Sequence, residues 1–113
     1  MSLSAKELNN ILPLSEDPTN EVIDWLRYAA DKIGMVDSIF LFNHKTESGI
    51  MLAAGVRLVP ECRLKEQQEA RSKLRKHCDD HGMAVLGLKE VEVLDDLTAP
   101  VVSEIGLQVY RKK

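Results

Sequence analysis

The chain has 113 residues, of which 15 are Lys or Arg and 18 are Asp or Glu, giving a formal charge of -3. That length fits a single core, and 44% hydrophobic with 29% charged residues excludes wholesale disorder. No apolar run approaches the roughly 20 residues of a membrane helix, and a pI near 5.6 sets aside nucleic-acid binding by bulk charge, leaving only a local patch.

From Met1 to Asn10 there are no basic and apolar blocks of a secretory signal, so a cytoplasmic protein is expected. Ser4 to Leu12 reads as a short helix, with Ser4 as N-cap, Glu7 three positions on and Pro13 as its stop. Asp17-Pro18 starts the next one. Val22, Ile23, Leu26, Ala29, Ala30 and Ile33 then recur at helical spacing, and Gly34 supplies a left-handed C-cap. Ile39-Phe40-Leu41-Phe42, within Ser38 to Asn43, is apolar on both faces, as a central strand is. After a turn at Asn43 to Gly49, the alternation of Ile50, Leu52, Ala54, Val56 and Leu58 completes a β-hairpin. The small residues Ala53, Ala54 and Gly55 predict close packing over this second strand.

Pro60 opens a third helix that runs to His81 and is capped by Gly82, with a thin inner face of Leu64, Gln67, Ala70, Leu74, Cys78 and His81. Met83 to Leu88 and Glu90 to Leu94 read as strands, Asp95 to Ser103 as a loop or short helical turn, and Glu104 to Arg111 as a last strand with Ile105, Leu107 and Val109 inward. The expected fold is therefore α+β in the order α-α-β-β-α-β-β-β, with the helices on one face of a mostly antiparallel sheet. Cys62 and Cys78, sixteen residues apart on one helix, would lie about 24 Å from each other. That is beyond the reach of a disulfide, which suits structural thiols in a reducing compartment.

Three constellations carry chemistry. His77 and His81, at i and i+4, could ligate a metal, with His44 as the one other histidine available to a metal-dependent enzyme. Against that, His81 projects inward and sits in the last turn, where an imidazole compensates the helix dipole. Arg71, Lys73, Arg75 and Lys76 form a basic run that could track nucleic acid. The helix, however, carries its own acids at i, i+4 (Glu69 with Lys73, Arg75 with Asp79, Lys76 with Asp80), so a solvated face is the preferred reading. Trp25 and Tyr28, two of the five aromatics, stand at i, i+3 on the border and outer side of their helix, where they either cover the core edge or contact a partner.

Catalytic signatures are missing. The hairpin strands lack the carboxylates of a metal nuclease, there is no phosphate-cradling glycine loop or Gly-x-Ser-x-Gly elbow, and His77 diverges from Cys78 by about 100° around the helix. No cofactor is implied. The stretch Asn20-Glu21-Val22-Ile23-Asp24-Trp25-Leu26-Arg27-Tyr28-Ala29-Ala30-Asp31-Lys32-Ile33 with its following strand resembles small uncharacterised phage and prophage proteins over residues 20–55. The resemblance implies a bacterial or phage source and brings no functional residue with it. The expectation is a non-catalytic interaction module, a homodimer or the binder of another protein, with no membrane role.

Overall fold

The computed structural model of the protein describes residues 10–80 and 88–112. In chain order the elements are β1 (Ile11–Leu12), α1 (Asn20–Ile33), β2 (Val36–Thr46), β3 (Gly49–Leu58), α2 (Leu64–Asp80), β4 (Leu88–Val93), α3 (Ala99–Ile105) and β5 (Leu107–Arg111). The α+β class is as expected, and among the described residues the three helices and five strands match the expected numbers, although most of the helix expected from Ser4 to Leu12 lies outside those residues. Ile11 and Leu12, expected to end a helix, form a strand opposite His44 and Asn43. The segment from Asp95 to Ser103, expected as a loop or a short helical turn, takes the helical alternative as α3, which runs on to Ile105; the strand expected at Met83 to Leu88 lies outside the described residues except for Leu88.

α1 forms where its apolar stripe falls, although Thr19 rather than Asp17 caps it. The Thr19 Oγ1 accepts from the Val22 N–H at 3.3 Å. Gly34, at φ 81, ends the helix by donating its N–H to the Ala30 carbonyl at 3.0 Å, in the left-handed region that glycine tolerates. The hairpin β2–β3 is regular from Ser38↔Arg57 to Thr46↔Gly49, and its turn is only Glu47-Ser48, with Gly49 at φ 118. α2 begins at Leu64, four residues later than Pro60 suggested, because Pro60 and Glu61 form a turn and Cys62 donates its N–H to the Val59 carbonyl. The crossover through α2 makes β4 parallel to β3, and the other strand pairs are antiparallel. β5 and β1 lie end to end along the free edge of β2, opposite Ser38–Leu41 and Asn43–His44 respectively.

Alternation along β2 divides the core in two. Ile39 and Leu41 face a cluster with Val22, Leu26, Ala70 and Leu74 of the helices α1 and α2. Phe40 and Phe42 face the other way, into a smaller cluster with Ile11, Ala53 and Val102 of α3. The helices are therefore not all on one face: α3 covers the reverse side. Ala53 and Gly55 of β3 serve that reverse side, where a Cβ on Gly55 would stand 2.8 Å from two methyl carbons of Leu94, while Ala54 faces the helix layer. In β5 only Val109 is inward. A register shift opposite Ile39/Phe40 turns the alternation, Leu107 is 46% exposed, and Ile105 belongs to α3.

Candidate functional site

The side chains of chemical interest converge at the seam between α1 and α2. The helical period carries Trp25 and Tyr28 around the flank of α1 toward α2, which presents His77 to them. The His77 ring is buried at 6% exposure, with the Trp25 centroid 4.8 Å away at 51° and the Tyr28 centroid 5.5 Å away at 43°. Lys32, one turn beyond Tyr28, places its Nζ 5.3 Å from that ring's centroid, within the range of a cation–π contact. Trp25 is half-buried and packs against the larger core cluster, whereas Tyr28 keeps 46% of its surface in solvent.

His77 is a histidine turned toward the core; His81, expected to project inward, lies outside the described residues. The inner face of α2 keeps the expected Ala70, Leu74 and Cys78, adds His77, and leaves Leu64 69% exposed. The His77 imidazole thereby meets the indole and phenol, a contact that hydropathy alone does not encode. His44 shares the side of β2 with Phe40 and Phe42, opposite the helix layer that holds His77, so the sheet separates it from that ring and it is not a third ligand. Among the described residues, no group of three or more His, Cys, Asp or Glu side chains is placed to hold a metal.

Arg71, Lys73, Arg75 and Lys76 are all exposed on α2. A shallow open depression on this helix, lined by Lys65, Gln68, Glu69, Ser72 and Lys73, belongs to one helix surface and encloses no reaction volume. Cys62 is buried beside Met35, Sγ to Sδ 3.6 Å. Burial, then the charges of Glu66 and Glu69, push its thiol above the ordinary range, which suppresses the nucleophilic thiolate. Cys62 and Cys78 are not joined by a disulfide.

Sequence reasoning missed Asp95. Its Oδ1 accepts from the Thr98 N–H and Thr98 Oγ1, each at 2.8 Å, and from the Leu97 N–H at 3.0 Å. The Thr98 backbone bond leads in holding this carboxyl below the usual aspartate range, against a desolvation effect of opposite sign, with further help from the Thr98 hydroxyl, Leu97 and Arg71. The arrangement is a turn that launches α3, with Oδ1 accepting from all three donors. The Asp-x-x-Thr spacing was the signal that could have revealed it.

No protein-family model, curated protein or solved structure matches the chain.

Proposed function

We propose that the protein is a non-catalytic interaction module that presents the Tyr28 ridge of α1 to a protein partner, working as a cytoplasmic accessory protein. One observation carries this reading: Tyr28 is a large aromatic left 46% exposed while its ring is in contact with His77 at 5.5 Å and Lys32 at 5.3 Å. An aromatic pre-set in this way loses little side-chain entropy on binding, the property that enriches tyrosine among binding hot spots. Cys62 and Cys78 form no disulfide with each other, and Cys62 is buried, which suits a reducing compartment. No helix among the described residues is long and apolar enough to cross a membrane.

Paired affinity capture with the wild-type chain and with Tyr28→Ala tests the proposal. A partner recovered by the wild type and lost by the variant is expected, and identical recoveries from the two baits would refute it.

A further inference from the structure

α1 and α2 lie side by side on one face of the sheet, and their outward surfaces carry opposite charge. Exposed positions from Glu16 to Lys32 hold five acids (Glu16, Asp17, Glu21, Asp24 and Asp31) against Arg27 and Lys32. Arg27 stands clear of the acidic stripe, and Lys32 borders it on the seam side. Arg27 is turned to the far flank, where its Nε donates to the Val109 carbonyl at 3.2 Å, and Lys32 leans over Tyr28. At 100° per residue, Asp24 and Asp31 point directly away from the core and Tyr28 stands between them and the seam. On α2 the exposed positions from Lys65 to Lys76 hold five bases (Lys65, Arg71, Lys73, Arg75 and Lys76) and one acid, Glu69, with Glu66 half-exposed among them; Asp79 and Asp80 follow in the sequence, so the basic excess is confined to Arg71 to Lys76, which contains no acid.

Resting on the interaction-module reading, we propose that the partner is a second copy of this chain, docked helix layer to helix layer about a two-fold axis parallel to the α1–α2 seam. That operation places α1 of each copy over α2 of the other, so acidic stripe meets basic stripe twice, and it brings the two Tyr28 rings near the axis. Rotation about an axis across the helices would instead set α1 on α1 and α2 on α2, opposing like charges. The contact is self-complementary in only one of the two orientations. A helix of 14 residues is about 21 Å long, and two helices are about 20 Å wide. The footprint is then roughly 400 Å² per copy, below the ~800 Å² per partner of standard stable interfaces. The dimer is therefore weak, reversible and salt-sensitive.

Sedimentation of the full chain and of two charge-reversed variants tests this. In one variant Asp24→Lys and Asp31→Lys are combined; in the other, Lys73→Glu and Lys76→Glu. All four positions are exposed, so unchanged circular dichroism is expected for both. The wild type should dimerise at low salt and dissociate at high salt. Each variant alone should associate roughly tenfold more weakly, because symmetry counts each reversed contact twice. The equimolar mixture should dimerise again, because both of its helix contacts then join opposite charges. A wild type that stays monomeric at low salt, a mixture no tighter than its components, or a dimer indifferent to both variants would overturn the proposal. A monomer whose capture of another protein still depends on Tyr28 overturns self-pairing while leaving the module reading standing.

Discussion

The two faces of the sheet are covered by different means. On one face, α1 and α2 lay amphipathic helices of 14 and 17 residues over Ile39, Leu41, Ala54 and Val56. Their inner sides are closed by packing, and their outer sides remain large, charged and available. On the other face, the seven residues of α3 close a smaller cluster around Phe40 and Phe42 by approaching the backbone itself. A Cβ on Gly106 would come within 2.7 Å of the Val102 carbonyl oxygen and 3.0 Å of that of Leu41. One face gains stability from area, the other from tight fit, and only the first has a broad surface left over for recognition.

The largest effects should come from truncating the residues that fill each cluster. Phe42→Ala on the tight face and Leu26→Ala on the broad face remove side chains that are 1% and 0% exposed. Costs of about 3–5 and 2–5 kcal/mol are expected in urea melts, enough for either to approach the whole stability of a small domain. A Phe42→Ala cost under about 1 kcal/mol would deny that the α3 face is a true second core.

The glycines sharpen the contrast. Gly106→Ala should cost about 1–3 kcal/mol, because the obstructing atoms are backbone carbonyls. Gly55→Ala should cost less, since the Leu94 side chain it meets can rotate away. Equal costs in parallel denaturation curves would remove the distinction between rigid and yielding neighbours.

Asp95→Ala should destabilise by about 0.5–2 kcal/mol, the range of a lost cap. The sign of its pH dependence follows from the lowered native pKa. The unfolded chain binds a proton more readily, so the contribution is complete above about pH 4 and disappears as the pH falls through the native value. Wild-type and variant stabilities should therefore converge in acid. A gap that widened there would contradict the assignment.

Much of the broad face was legible in the sequence, and little of the tight one was. The stripe from Val22 to Ile33, its Gly34 cap and the doubly apolar Ile39–Phe42 strand are local patterns, and the folded chain keeps them. α3 was left open between a loop and a short helical turn, because Pro100 and a short apolar run do not distinguish a seven-residue helix from either; what decides is the fit of Val102 and Gly106 to β2, a tertiary fact. β1 was misread because two residues have no period of their own and take strand form from Asn43 and His44. Trp25 and Tyr28 were visible as an exposed pair, but not His77 between them, since that contact is set by packing rather than by hydropathy. The opposed charges of α1 and α2 were present in the sequence, yet their meaning required knowing that the two helices are neighbours.

The smallest expected effect on stability comes from the exposed charges themselves. Reversing Asp24 and Asp31 should change the unfolding free energy of the monomer by no more than about 0.5 kcal/mol per site, although it should weaken association. A large loss of monomer stability would mean that these acids hold the fold together rather than recognise a partner.

The central claim, that the helix layer is the recognition surface and the α3 face is only closed core, is tested most directly by amide chemical shifts followed as protein concentration rises at low salt. Shifts should move at Asp24, Tyr28, Asp31, Lys73 and Lys76, and added salt should reverse them, while Leu97 to Leu107 stays fixed. Concentration-dependent shifts centred on α3 and β5, with the helix layer unmoved, would contradict it.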